Sequence, residues 1–202
     1  MTADFPPSTF ASTMPTRTAV ERVAGLSDWD LTMLVRAAEA AIAEGRANWT
    51  RSPGQSALEK FFRGVMLAPH RDLFVARLDG RVVGALQLVQ PPPLSETGPY
   101  SGELTSFFIA PTARGHGLAR ALIEIAEERA RALSLKLLDV SVRADREAAQ
   151  SLIRSLGYKR WALKSHYAYA GGGFIAGAFF TKDLDDPAGL SDEDEDADEG
   201  RV

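Results

Sequence analysis

The stretch Arg114-Gly115-His116-Gly117-Leu118-Ala119 has the clearest chemical capacity in this 202-residue chain. Two glycines in a short turn, followed by a helical pattern, present backbone amides that no intrahelical acceptor uses. The helix dipole adds partial positive charge at the same place, so a pyrophosphate fits there. A Cβ at Gly117 would stand between backbone and phosphate, and Arg114 would add a charge-assisted contact. A tight turn that binds nothing is the equal alternative on these six residues alone. Two rival phosphate sites fail on arrangement. A dinucleotide fold would use Gly115 and Gly117 with Asp139 about 20 residues on, but its third glycine is missing. A P-loop needs Gly-Lys-Ser/Thr, and Leu118-Ala119 supply neither a lysine nor a magnesium-binding hydroxyl.

Other reactive side chains narrow the chemistry. The chain has no cysteine, which excludes disulfides, thiolate zinc sites and a cysteine nucleophile. His116 lies inside the turn, where plain exposure competes with a phosphate contact, and His70 and His166 have no partner at metal-ligand spacing. No metal is expected. Trp29 and Trp161 read as packing residues.

A turn of this kind needs a strand before it and a helix after it. ELTSFFIA, from Glu103, is an apolar, aromatic-rich strand pattern closed by Pro111. Leu118, Leu122, Ile125, Ala126, Arg129 and Leu133 then follow helical spacing. KLLDVSV reads as a buried strand, Asp145 as the cap of a helix to Leu156, and Gly157 as its left-handed stop. Upstream, Ser27 caps a helix to about Ala43, a second helix runs from Ser56 to about Met66, and Asp79-Gly80 joins two strands in a hairpin. Downstream, strands near Trp161–Tyr169 and Ala178–Asp183 flank Gly171-Gly172-Gly173. With an optional first strand at Ala19–Ala24, the order predicts a mixed α/β (α+β) domain whose sheet is mainly antiparallel with one parallel pair.

Composition fits one soluble domain between two tails. Residues 1–16 are Pro, Ser and Thr rich without periodicity, and residues 187–202 form an acidic low-complexity run. The net charge of −4 is misleading, because residues 1–182 carry 22 basic against 17 acidic side chains. That mildly basic body suits a polyanionic small molecule. Its basic residues are scattered and not interleaved with aromatics, so no nucleic-acid partner is expected. The N-terminus lacks the blocks of a secretory signal and no apolar run reaches about 18 residues, which predicts a cytoplasmic protein with no membrane association.

FFIAPTARGHGLARALIEIAEERA resembles motif A of the GNAT superfamily of N-acetyltransferases, whose signature is Arg or Gln, two residues, Gly, one residue, then Gly or Ala. The resemblance runs forward to REAAQSLIRSLGYKR, similar to motif B with its closing Gly157-Tyr158, and covers about residues 17–185. It implies the GNAT fold over 17–186, with a splayed central strand pair. It also implies a transferase of the acyltransferase class, moving acetyl from acetyl-CoA to a primary amine by direct attack in a ternary complex, without a metal. Phe107, Phe108 and Ile109 would offer main-chain groups to the acetyl-CoA, and Arg114, Gly115, His116, Gly117, Leu118 and Ala119 would hold its pyrophosphate. The acceptor stays open between a small amine, an antibiotic, a protein N-terminus and a lysine. The oligomeric state stays open too, a homodimer included.

The resemblance also assigns proton carriers. An alkylammonium near pKa ~10.4 must lose a proton before it attacks. Glu103 stands six residues before Ile109, where some members carry a general-base glutamate; a solvent-facing strand end is the alternative. The tyrosine that often protonates the leaving thiolate is replaced by Ile153, and the usual asparagine seven residues earlier by Arg146. The acid is then expected from Tyr167 or Tyr169, only one of which should matter, with water as competitor and Tyr158 assigned to the core. The same departures support a second reading, a coenzyme A-binding sensor with little or no turnover.

Overall fold

In the computed structural model, which describes residues 16–186 apart from 48, 93 and 97, seven strands form one sheet in the order β1-β2-β3-β4-β5-β7-β6. The segments expected as tails lie outside the described residues, except for residue 16. β1 (Thr18–Val23), β2 (Arg71–Leu78), β3 (Arg81–Val89) and β4 (Ser101–Ile109) form an antiparallel meander. β5 (Leu137–Arg143) runs parallel to β4, and β7 (Gly173–Asp183) inserts antiparallel between β5 and β6 (Lys159–Ala170). The optional first strand is therefore real, and the sheet has one parallel pair.

Neighbouring residues of β2 enter different cores because both faces of the sheet are covered. Leu73 and Val75 pack under α1 (Asp28–Ala43) and α2 (Gln55–Leu67), whereas Phe74 and Ala76 pack with α3 (Leu118–Ala132) and α4 (Glu147–Ser155). Ser27 caps α1 as expected, accepting from the Asp30 amide at 3.0 Å. Asp79 and Gly80 take positive φ of 50° and 80°, the conformation that a two-residue hairpin turn requires.

Two expectations need correction. Asp145 does not cap α4: the capping position is Arg146, without a side-chain hydrogen bond, while Asp145 accepts two bonds from Arg143 at 3.0 and 2.5 Å. A guanidinium fork outcompetes a lone backbone amide for a carboxylate. β7 also begins at Gly173 and not near Ala178. Gly171 and Gly172, at φ 60° and 84°, close a two-residue turn, and Tyr169 and Phe174 then pair edge to face across it at 5.2 Å.

Candidate functional site

β4 carries a fault that opens the sheet. Ala85 pairs with Phe108 but Gln87 pairs with Thr105, so Ser106 and Phe107 together oppose Leu86 in a β-bulge. Ser106 sits at φ +51°, a left-handed conformation uncommon outside glycine. The bend carries β4 away from β5: their parallel pairing runs from Ser101/Leu137 to Leu104/Val140 and stops. Beyond that rung each strand has one edge without the other as ladder partner, and a cleft of about 580 Å³ lies between them. Phe107 and Ile109 line one wall, Ser141 and Arg143 the other, with Ala149 and Leu152 of α4 and the segment Gly45–Ala47 after α1 also contributing.

Phe107, Phe108, Ile109, Arg114 and Ala119 all line this cleft. Phe108 and Ile109 are 2% and 8% exposed, their side chains lying in the two cores, so they present mainly backbone. Gly115, His116, Gly117 and Leu118 do not line the cleft; they form the turn between Arg114 and Ala119. Gly117 is the N-cap of α3 at φ +74° and offers no capping side chain. The first intrahelical bond runs from the Ala121 amide to the Gly117 carbonyl, so the amides of Leu118, Ala119 and Arg120 have no intrahelical acceptor. A Cβ built at Gly115 or Gly117 meets nothing within 4 Å, so the space over the turn is open. His116 is exposed, its Nδ1 3.0 Å from the Arg114 carbonyl oxygen, and Leu118 buries its side chain in the core. Arg114 donates to Glu44 at 2.5 Å and to the Ile109 carbonyl at 3.5 Å.

Glu103 lies one rung before the splay, paired in register with Asp139. Both line a second cavity of about 320 Å³ that also takes in Ser101, whose hydroxyl donates to Asp139 at 2.8 Å. Glu103 reaches solvent, yet desolvation first and the Asp139 charge second push its carboxyl above the usual range, with Arg71 partly offsetting them. Leu104 and Val140, the next residues along each strand, line the main cleft.

The tyrosines separate. The Tyr167 and Ser141 hydroxyls are hydrogen-bonded at 3.0 Å, and both residues line the cleft. A Cβ at Gly177 would fall 2.2 Å from the Tyr167 ring, so glycine there makes room for the phenol. Tyr169 is 59% exposed against Phe174 and lines no part of the cleft. Strand alternation does not explain this contrast, since residues two apart share a face on a regular strand. The difference is lengthwise: Tyr167 lies over β5, Tyr169 near the hairpin turn. Tyr158 is 2% exposed, and burial first, then Glu127, raises its hydroxyl pKa far above the usual range. Ile153 is 1% exposed in the core and absent from the cleft lining.

Sequence reasoning missed Glu44, Gly45, Ser141 and Gly177, which act through contacts with residues far along the chain. Arg146 was visible only as a departure from a motif. It lines the cleft, its Nε is buried without a hydrogen-bond partner, and a Cβ at Gly45 would lie 3.0 Å from its guanidinium. Among the described residues no His, Asp or Glu cluster could hold a metal ion, and no helix is long and apolar enough to cross a membrane.

The model of the Acetyltransferase (GNAT) family matches residues 34–158. A relative from Azospirillum brasilense, an uncharacterized N-acetyltransferase in the hisH-hisA intergenic region, is 42% identical over 129 residues, 63% of this chain and 77% of its own. Among solved structures, an N-acetyltransferase from Staphylococcus aureus Mu50 superposes with a TM-score of 0.71 at 20% identity, covering 83% of this chain and 99% of that one. A Salmonella typhimurium chain, assigned as an acetyltransferase and solved with its cofactor acetyl-CoA, superposes at 0.68 with 17% identity, covering 83% and 94%. At these identities the two structures establish the fold, and the family match spans most of the described residues. The chain belongs to the GNAT acetyltransferase family and is an acyltransferase.

Proposed function

We propose that the unit spanning residues 17–186 transfers an acetyl group from acetyl-CoA to a primary amine by direct attack in a ternary complex. The observation that carries this reading is the bulge-driven splay of β4 from β5, opening beside a helix N-terminus whose amides are unused and whose surroundings are empty. The acetyl-CoA of the Salmonella typhimurium neighbour supports it. When bound, acetyl-CoA supplies an activated acyl thioester.

The chain's own residues divide the remaining work. The first-turn amides of α3 and the Arg114 guanidinium suit the pyrophosphate, with Glu44 orienting Arg114 at 2.5 Å. The free edge of β4 at Phe107–Ile109 offers fixed backbone dipoles to pantetheine and to developing negative charge on the carbonyl oxygen. Glu103, with its raised pKa, accepts the proton of the attacking amine through water, because it occupies the neighbouring cavity and not the cleft. Tyr167 holds a proton at Oη, steadied by Ser141, in position to return it to the leaving sulfur. A panel of amines assayed for acetyl-CoA-dependent thiol release tests this, with calorimetric titration of acetyl-CoA alongside. Tight binding with no thiol release from any amine would favour the second reading, a coenzyme A-binding sensor, whose support is the burial of Ile153 away from the cleft.

A further inference from the structure

Arg146 lines the cleft between β4 and β5, yet its Nε has no hydrogen-bond partner among the described residues. Its Nε is sealed from solvent, and its nearest charge, Asp145, stands 3.6 Å away. That carboxylate is already neutralised: Arg143 grips both of its oxygens and holds its pKa below the usual range. The guanidinium is therefore a surplus cation. Arg46, also on the cleft lining but 54% exposed, stands 3.9 Å from a Glu44 carboxylate that Arg114 occupies at 2.5 Å. Gly45, between these two residues, takes φ +64° and leaves room for the Arg146 guanidinium. A buried, unpaired donor on a charged group is costly unless a ligand completes it.

The missing partner is an anion, and its place limits which one. Of the residues suited to the pyrophosphate, Arg114 and Ala119 border this cleft, while Gly115, His116 and Gly117 lie outside it. Much of the cleft lining is apolar, with Phe107, Val140, Val142, Ala149 and Leu152, which suits a compact anion. A guanidinium presents parallel N–H groups that match a carboxylate in two-point fashion. The geometry points to Arg146 as a specificity residue that receives the carboxylate of the amine acceptor, so that the substrate class is an α-amino acid or a similarly acidic amine and not a polyamine. This rests on the reading of the cleft as the acetyl-transfer site.

Matched acceptors test it: L-alanine, L-methionine and L-phenylalanine, each against its carboxamide. Two readouts apply, thiol release from acetyl-CoA and calorimetric binding of the N-acetylated forms to the full chain saturated with coenzyme A. A free acid should exceed its amide by roughly 10- to 100-fold, the worth of a charged hydrogen bond. Arg146→Gln should bring that ratio close to one, with the acetyl-CoA Kd and the thermal midpoint unchanged. Arg146→Lys should retain part of it, and Gly45→Ala, which displaces the guanidinium, should lower it. A wild-type ratio near one in both readouts overturns the proposal, as does a ratio that survives Arg146→Gln. If Arg146→Gln instead abolishes a preference for succinyl-CoA over acetyl-CoA, the carboxylate belongs to the acyl group and the assignment to the acceptor fails. Loss of acetyl-CoA affinity in that variant also overturns it. A wild-type protein that does not bind acetyl-CoA at all takes down the proposed function together with this inference, whereas every other adverse result removes only this one.

Discussion

Glu103 and Asp139 face each other across one rung of parallel sheet, and that juxtaposition sets a pH dependence. A carboxyl whose pKa is raised on folding favours the native state below the ordinary glutamate value and loses that contribution as pH rises through the folded value. Glu103→Gln is therefore expected to gain stability relative to wild type at neutral pH, with the gain vanishing near pH ~4, as urea unfolding at both pH values will report. Its kcat/KM should fall by about 10²-fold, and the loss should shrink as pH nears the pKa of the amine. A variant with the wild-type pH profile removes Glu103 as the base. Tyr167→Phe is expected to lower kcat by at least about 10-fold at saturating acetyl-CoA, while Tyr169→Phe stays near wild type, because only the first phenol reaches the cleft. Equal activities in all three proteins would assign the acid to solvent.

At the scale of elements, the α3 turn was legible in the sequence because Gly115 and Gly117 both take positive φ, which selects glycine, and stand between a strand pattern and a helix pattern. The bulge was not legible: Ser106 adopts its left-handed φ under tertiary constraint, and nothing in ELTSFFIA signals where the ladder slips. Asp145 was misread because Arg143, two residues away, competes for it. The meeting of Arg146 with Gly45 joins elements distant in sequence, which no local pattern encodes. The turn itself yields a prediction. Gly117→Val forces a β-branched residue into positive φ, costing about 1–2 kcal/mol, and also places methyls over the unused amides. Gly80→Val carries similar strain, at φ +80°, in the β2–β3 turn away from the cleft. Both should lose comparable stability by denaturant unfolding, but only Gly117→Val should lose acetyl-CoA affinity in calorimetry. Parallel losses of affinity would show that backbone strain, and not the turn's access to phosphate, controls binding.

For the molecule as a whole, the charged pair beneath the sheet matters more than any surface bridge. Lys182 Nζ donates to both Glu127 oxygens at 2.8 and 2.7 Å, and the two side chains are 9% and 6% exposed. Lys182→Met leaves a buried carboxylate with only Arg131, 3.4 Å away, as an ionic partner, and is expected to cost about 3 kcal/mol. The double variant Glu127→Leu/Lys182→Met should recover most of that loss, since neither charge is then stranded. Thermal and urea unfolding of the three proteins decide the point; a double variant as unstable as the single one would mean that the pair contributes net stability.

The sheet order has a consequence for biosynthesis. β7, the last strand in sequence among the described residues, lies inside the sheet between β5 and β6. A chain emerging from the ribosome can close the β1–β4 meander from local contacts, but β5 then has β4 alone as a neighbour, over four rungs. The second wall of the cleft acquires its long antiparallel partner only when residues 173–183 have been made. Tyr167 likewise reaches Ser141 only through a strand that β7 ties to the sheet. A nascent chain thus contains the α3 turn well before it contains a complete cleft, and a transcript broken after Gly172 encodes a fragment with an open sheet edge at β5, a target for chaperones and proteases.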